Sequence, residues 1–372
     1  MYANLPLSDD YTSLLSAGVL SGKQVDYMSE EIVGAKNRWD PFPDSGDPIV
    51  SISAVPGKMP VWTIGDNWQS GPNPQAQYFM ADLSVGLFIQ RQIDFYLDEE
   101  TPLVFSRMYR NGDDRSRSFG IGANNSLDWF LVGQMGSFID LVREDGGRSH
   151  FVHVDPEDAG GSPQTYRIDP KDPSTQAVYE SGMWRVTSRD GWTYFFPYRP
   201  KLEGEKVTIL TGFVDPKGRK YEMVRDESGD LVSITTPSGQ WLHFENDERH
   251  RIRRITGSKG RSVQYGYNSS GQLTRVGDSD GNVASYTYND RNEMLTVGGA
   301  SGAPLLTNEY LSSSQISGQT LADGRHFGYS YTFGPQMVIR QNIFQDPNGL
   351  LTYFDYVEEG NFLQSLPMRP PQ

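Results

Sequence analysis

Residues 214–297 read VDPKGRKYEMVRDESGDLVSITTPSGQWLHFENDERHRIRRITGSKGRSVQYGYNSSGQLTRVGDSDGNVASYTYNDRNEMLTV, and one pattern recurs in them every 21 residues. A glycine marks each of the four units: Gly218, Gly239, Gly260 and Gly281. A second turn position follows eleven residues later, and it holds Gly229, His250, Gly271 and Asn292. Apolar residues alternate between the turns, and alternate residues of a strand share one face. Each unit therefore predicts a β-hairpin whose turns use the positive φ that Gly or Asn tolerates.

A repeat of this length predicts an array in which no unit buries its apolar face alone, so that neighbouring units must stack. The composition agrees, because 39 Gly and 23 Pro accompany 12% aromatic residues, a balance that favours short strands and turns. We expect an all-β fold: an array of β-hairpin repeats that forms a curved, spiralling sheet, with a short helical N-terminal segment.

Four regions are expected along the chain. Apolar residues at helical spacing, including Val25, Met28 and Ile32, predict a helical appendage in residues 1–40. Residues 41–75 are rich in Pro and Gly and predict an extended linker. A β domain is expected over residues 76–200, and the hairpin array over residues 201–372.

The overall charge and the missing cysteines exclude several kinds of partner and site. A net charge of −14 disfavours nucleic acid and anionic membranes, and the basic cluster at residues 249–254 is expected to lie on a solvated strand face. The chain has no cysteine, so disulfides and thiolate metal sites are excluded. No run of 18 apolar residues occurs, and we expect no membrane-spanning helix.

Two parts of the sequence resemble a known family. The motifs ADLSVGLFI (81–89), PLVFSRMYR (102–110) and FGIGANNSLD (119–128) resemble the opening domain of Rhs-repeat proteins, although Ala123 stands where that family usually has Trp. The regular units resemble the YD repeats of Rhs and teneurin-type proteins, with Tyr267-Asn268 and Tyr288-Asn289 at the Tyr-Asp positions. The resemblance implies a hairpin ribbon wound into a hollow shell around a C-terminal toxin, or else a cell-surface module.

The function expected from this resemblance is structural. The chain would be a shell segment that encloses or presents a C-terminal toxin or another polypeptide, and the toxin or the remaining shell chain would be its partner. Such a protein is expected to be secreted or at the bacterial cell surface, by an export route that the sequence does not identify. The alternative is an adhesion or glycan-binding module that meets a cell-surface glycan or receptor through aromatic residues. Trp184, Trp192 and Trp241 would carry that surface unless they are core residues.

We expect no enzyme activity, cofactor or metal. His150 and His153 are three residues apart, so on a strand they point to opposite faces and cannot share a metal. The loop around Asp278 and Asp280 resembles a calcium-binding loop only in part. With Gly281 in the sixth position, Val276 and Thr287 would occupy positions that require carboxylates.

Asp346 opens the motif Asp346-Pro347-Asn348-Gly349-Leu350, for which two interpretations stand. Rhs shells resemble aspartyl autoproteases that cut themselves near an Asp-Pro-x-Gly-Leu sequence, so Asp346 could serve self-cleavage. The second interpretation is a repeat turn, since Asp215 begins a motif of the same form and strand aromatics follow Gly349 at the spacing of the repeat.

Overall fold

The computed structural model describes residues 61–63, 77–82, 86–144, 148–155, 164–197, 199–200, 206–281, 283–334, 339–356 and 362–368. The helical appendage predicted for residues 1–40 and most of the predicted linker lie outside these residues. The described elements are all strands, which confirms the all-β prediction.

The first seven strands form an opening region with its own small sheets. Their bounds are β1 (Val61–Thr63), β2 (Gln77–Asp82), β3 (Leu87–Leu97), β4 (Leu103–Arg110), β5 (Ser116–Arg117), β6 (Gly120–Ile121) and β7 (Ala123–Asn125). An antiparallel sheet joins five of them in the order β1-β2-β3-β4-β7, and β5 pairs with β6.

A long antiparallel sheet contains most of the remaining strands. The strands before the regular repeats are β8 (Phe130–Gln134), β9 (Phe138–Val142), β10 (Arg148–Val154), β11 (Thr165–Arg167), β12 (Gln176–Glu180), β13 (Met183–Thr187), β14 (Thr193–Pro197), β15 (Arg199–Pro200) and β16 (Lys206–Val207). The regular repeats supply β17 (Gly212–Val214), β18 (Lys220–Arg225), β19 (Leu231–Thr235), β20 (Trp241–Asn246), β21 (Ile252–Gly257), β22 (Ser262–Tyr267), β23 (Leu273–Asp278), β24 (Val283–Tyr288) and β25 (Met294–Gly298). The last strands are β26 (Pro304–Tyr310), β27 (Ile316–Leu321), β28 (His326–Phe333), β29 (Ile339–Gln345), β30 (Leu351–Tyr356) and β31 (Phe362–Met368).

Strands of this sheet pair in the order of the sequence. Each strand from β8 to β31 is antiparallel to the next, except that β14 pairs directly with β17 while β15 and β16 form a separate ribbon. The four regular units therefore lie in one continuous sheet, as predicted. Strands from both sides of residue 200 share this sheet, and the predicted domain boundary there stays a prediction.

The sheet also returns to its own beginning. Phe130 of β8 bridges to Ile209, which lies just before β17. The backbone N–H of Leu131 donates to Thr208 O (2.9 Å), and that of Leu210 donates to Trp129 O (2.9 Å). This contact ties the irregular strands β8–β14 to the start of the regular repeats.

Two rows of turns connect the regular strands. The first-row turns contain the four unit glycines, with φ of +83° at Gly218 and +88° at Gly281, and a Cβ added at either would meet nothing within 4 Å. Glycine is therefore needed at these turns for its backbone conformation rather than for space. The second-row turns contain residues of positive φ: Gly229, His250, Gly271, Asn292 and Ser314.

A β-bulge lies beside every second-row turn of the regular repeats. The register shifts by one residue at Val224/Arg225, Glu245/Asn246, Gly266/Tyr267 and Thr287/Tyr288. A bulge of this kind places one extra residue in the second strand and increases the local twist. Each hairpin therefore adds the same distortion to the sheet.

One face of the regular strands is apolar and the other is polar. The apolar face carries buried pairs two residues apart in β18, β20, β22 and β24: Tyr221 and Met223, Leu242 and Phe244, Val263 and Tyr265, Ala284 and Tyr286. Residues on the other face are mostly exposed, such as Glu222, His243, Gln264 and Thr287. The alternation predicted from the sequence thus identifies the apolar face of the sheet, which another part of the protein must shield from water.

Candidate functional site

The cover of the apolar face is a hairpin of the opening region. Strands β3 and β4 form this crossing hairpin, Leu87–Arg110, with a register from Ile89↔Arg110 to Leu97↔Leu103. Phe105 packs against Phe244 with ring centroids 5.1 Å apart, and Tyr109 packs against Tyr288 at 5.8 Å. The hairpin thus buries aromatic residues of several consecutive units.

The tip of the crossing hairpin binds first-row turns. Tyr221 donates its hydroxyl hydrogen to Thr101 O, and Gln240 Nε2 donates to Asp98 O (2.7 Å). Glu100 forms ion pairs with Lys217 and Arg219. The tip is thereby held to the first two units of the regular array.

The other end of the opening region binds second-row turns. Tyr109 donates its hydroxyl hydrogen to Asn292 O (2.7 Å) and accepts the N–H of Met294 (3.0 Å). The N–H of Ile316 donates to Gly86 O (2.8 Å). Gly120 approaches the array so closely that a Cβ there would lie 2.3 Å from Gly271 O. The opening region therefore spans the apolar face from one row of turns to the other.

A buried charge pair lies under the crossing hairpin. Arg107 Nε donates to Asp94 Oδ2 (2.6 Å), and the two side chains are 5% and 4% exposed. Tyr265 Oη donates to the same carboxylate oxygen (2.7 Å), and Arg107 Nη1 donates to Tyr286 Oη (3.1 Å). Burial alone would lower the pKa of Arg107, but Asp94 and the two tyrosines hold it well above its ordinary value. Arg107 therefore stays charged, and its network with Asp94 links the hairpin to the third and fourth units.

A row of side chains ties each hairpin unit to the one before it. Tyr288 Oη donates to Leu273 O (2.8 Å), 15 residues earlier. The same bond is made from the last residue of the first strand in five successive units, by Arg225, Asn246, Tyr267, Tyr288 and Tyr310. In the next unit it is made by Tyr331, two residues before the end of β28. The residue that follows begins the second-row turn, and Asn289 Oδ1 accepts the N–H of Glu293 (3.0 Å). The two residues of each Tyr-Asn pair thus have different roles. The tyrosine donates a hydrogen bond to the preceding unit, and the asparagine forms the turn.

Family comparisons match both of these regions. A domain of unknown function, DUF6531, matches residues 81–151, which include the crossing hairpin. The RHS Repeat model matches residues 247–283 and 267–304, which are units of the regular array. The chain therefore contains RHS repeats. None of the curated proteins compared with it matches.

Among solved structures, TcdB2-TccC3 and Tc holotoxin chains show a distant likeness. TcdB2-TccC3 without its hypervariable C-terminal region is 10% identical at a TM-score of 0.25, covering 76% of this chain and 22% of that one. The Tc holotoxin pore of Photorhabdus luminescens is 10% identical at a TM-score of 0.27, covering 82% and 22%. The chain thus spans less than a quarter of the length of these two chains, and TM-scores this low carry no argument about its fold.

The three tryptophans singled out in this RHS-repeat protein lie in different surroundings. Trp184 is 1% exposed and packs against Tyr166 and Tyr179, so it offers no surface to a ligand. Trp192 is partly buried and packs with the core of the sheet. Trp241 is partly buried at the start of β20, with its ring 4.2 Å from that of His243 on the polar face.

Asp346 has the surroundings of a turn residue. Its Oδ1 accepts the N–H of Asn348 (2.9 Å) and of Leu350 (2.8 Å). Asp215 makes the equivalent bonds, accepting the N–H groups of Lys217 and Arg219 at 2.9 Å each. The two motifs thus share one turn geometry, which supports the interpretation of Asp346 as a repeat turn.

The histidines predicted to be structural have structural partners. His150 Nδ1 lies 2.7 Å from Asp140 Oδ1, and His153 packs edge-on against Tyr166. In the part of the chain that is described, no three His, Asp or Glu side chains are placed to hold a metal ion. Within the residues that the structure describes, no helix is long and apolar enough to cross a membrane.

Sequence reasoning missed the charge pair Asp94–Arg107 and the whole crossing hairpin. One signal was present, because Asp94 is charged and stands between the apolar residues Ile93 and Phe95 of β3. A charge at such a position needs a buried partner.

Proposed function

We propose that this RHS-repeat protein is a structural, non-catalytic shell segment that encloses or presents a polypeptide. The observation that supports this most is the continuous antiparallel sheet, whose repeating units are covered on their apolar face by the chain's own opening region. Each added unit extends the wall by the same contacts, which is what an enclosure built from repeats requires.

The buried polar groups of the site also favour a structural role. Asp94 and Arg107 are each other's partners, and the nearby tyrosine hydroxyls are used in the same network. A catalytic group must be able to reach a substrate, whereas the side chains of Asp94 and Arg107 are only 4% and 5% exposed and are bonded to each other. The partner we propose is a C-terminal toxin or the remaining shell chain, and the location is outside the bacterial cell or on its surface.

The proposal is tested by crosslinking in the natural full-length protein. A photoreactive amino acid at Lys259, which lines a cleft beside the crossing hairpin, is expected to crosslink to an enclosed polypeptide. The same amino acid at Glu245, exposed on the polar face of β20, is the matched control and should give no such crosslink. Equal crosslinking from both positions, or from neither, would contradict enclosure on this side of the sheet.

A second candidate function, glycan binding, is favoured by Trp241. Its ring is partly exposed beside His243 on the polar face, and an aromatic face of this kind can stack on a sugar. If this function holds, Trp241→Ala should abolish binding to a glycan array, while Trp192→Phe should leave it unchanged. Absence of glycan binding by the unchanged protein would remove this candidate.

A further inference from the structure

A cleft of about 640 Å³ lies between β3 and the turns of the third and fourth units. Six consecutive residues of β3, Gln92–Leu97, line it. Alternate residues of a strand point to opposite faces, so six in succession can line one cleft only if the strand turns its edge toward it. The backbone of β3 is therefore part of the cleft wall.

This edge of β3 has no strand partner in the described residues beyond Gln92. The pairing of β2 with β3 ends at Gln77↔Gln92, whereas β4 pairs along the other edge as far as Leu97. Arg261 donates a hydrogen bond to Asp94 O, so a carbonyl group of this edge is accessible to a donor from the cleft side.

The opposite wall of the cleft combines charged turn residues, such as Lys259 and Asp280, with an apolar patch in which one repeat position holds a small residue. Val263, Val276 and Ala284 of the array line it. Ala284 occupies the repeat position that holds Tyr221, Leu242 and Val263 in the earlier units. In the first unit the hydroxyl of Tyr221 reaches the crossing hairpin at Thr101 O, whereas alanine leaves space.

We infer that the cleft binds an extended polypeptide strand, which pairs with the edge of β3 between Ile93 and Leu97. Unpaired N–H and C=O groups at a strand edge recruit another strand by main-chain hydrogen bonds, and pockets for alternate side chains add specificity. The bound strand places apolar side chains at every second position, against Val276 and Ala284. The inferred binding site rests on the proposed function in one respect only, that the enclosed polypeptide supplies the bound strand.

A synthetic peptide tests the site without knowledge of the natural strand. The probe is a ten-residue peptide in which Val alternates with Thr, and the readouts are its affinity and amide hydrogen exchange of the intact chain. Exchange at Ile93–Leu97 should slow by about tenfold or more at saturating peptide. Two further peptides are N-methylated at every Val or at every Thr. Only one set of N–H groups faces β3, so one methylated peptide should bind and the other should not.

Substitution of Ala284 tests the location. Ala284→Leu fills the cleft, and the fold should accept it because Leu242 stands at the same position of an earlier unit. The affinity should fall by about tenfold or more. Thr287→Leu, which adds the same side chain on the polar face of the same strand, is the control and should bind normally. The inference fails if Ala284→Leu binds normally, if both methylated peptides bind, or if the β3 amides that face the cleft, as opposed to those bonded to β4, already exchange slowly without peptide. Such a result leaves the shell proposal to the crosslinking test.

Discussion

Arg107 and Asp94 show what a single buried contact does in this RHS-repeat protein. Their side chains lie under the crossing hairpin, 2.6 Å apart, with the Arg107 guanidinium 5.6 Å from the ring centroid of Tyr265 and 5.9 Å from that of Tyr286. A buried ion pair contributes little net stability, but losing one partner leaves an uncompensated charge. The pair therefore fixes the position of the hairpin more than it adds to stability.

We predict that Arg107→Met lowers the free energy of unfolding by about 3–5 kcal/mol, because it leaves the carboxyl group of Asp94 buried without its partner. Arg185→Met breaks the pair with Glu180, whose side chains are 45% and 65% exposed, and should cost under about 1 kcal/mol. Chemical denaturation measures both. Equal losses for the two variants would show that the buried pair has no special role. Adding Asp94→Leu to Arg107→Met should restore part of the loss.

A second residue-scale prediction concerns Asp215. Burial alone would raise its pKa, but hydrogen bonds led by that from the Arg219 side chain lower the pKa to about 2. A carboxylate with a lowered pKa stabilises the fold fully above its ordinary pKa of about 4, and this contribution is lost as pH falls toward 2. Asp215→Asn should therefore reduce the fall of stability between about pH 4 and pH 2. Asp290→Asn, at an exposed turn position, controls for the change in net charge, and an identical pH profile for both variants would contradict the role of Asp215.

At the scale of the elements, each hairpin is held to the previous one by a side chain that reaches a backbone carbonyl. Tyr288 is an example, since its hydroxyl bonds Leu273 O and its pKa is raised well above the ordinary value, chiefly by burial. The same position carries Arg225 and Asn246 in earlier units. The bond thus depends on the donor and its reach rather than on tyrosine itself.

Tyr288→Phe should lower the free energy of unfolding by about 1–3 kcal/mol, because the carbonyl of Leu273 loses its donor in a buried place. Tyr96→Phe removes a hydroxyl for which the described residues provide no hydrogen bond, and it should cost much less. Thermal or chemical unfolding of the two variants decides the matter. A loss at Tyr96 as large as that at Tyr288 would show that the inter-unit bond is unimportant.

The elements that could be predicted are those whose signal is local. Glycine at a fixed spacing and apolar residues two apart indicated the hairpins of residues 214–297, because turn chemistry and strand alternation act within one unit. The crossing hairpin carries no such period. Its decisive contacts, such as Arg107 with Tyr286, join residues 179 apart, and nothing in either segment alone specifies the other. The self-cleavage hypothesis for Asp346 stays a prediction, although its turn geometry favours a structural role.

For the whole molecule, the opening region and the repeats should stabilise each other. The crossing hairpin belongs to the same core cluster as the apolar face, and Phe105, fully buried, lies between Phe244 and Phe119. Removing this contact exposes apolar groups on both partners. The two regions are therefore expected to unfold in one transition rather than as separate domains.

Phe105→Ala should lower the free energy of unfolding by about 3–5 kcal/mol and speed amide exchange in β20 and β22 as well as in β3 and β4. Phe151→Ala, at a buried residue of β10 before the regular repeats, is the control. It should cost a similar amount of stability but affect mainly β9 to β11. Faster exchange confined to β3 and β4 in Phe105→Ala would mean that the repeats fold independently of their cover.

The first-row turns later in the array can vary more in sequence and length than the turns of the first two units. The tip of the crossing hairpin engages the turns near Gly218 and Gly239. The turns at Gly302 and Gly324 lie further along the array, and a Cβ added at either glycine would meet nothing within 4 Å. One margin of the protein can therefore accept longer loops or grafted epitopes without disturbing the interior. New recognition properties could arise there by lengthening a loop, while the body that displays them stays unchanged.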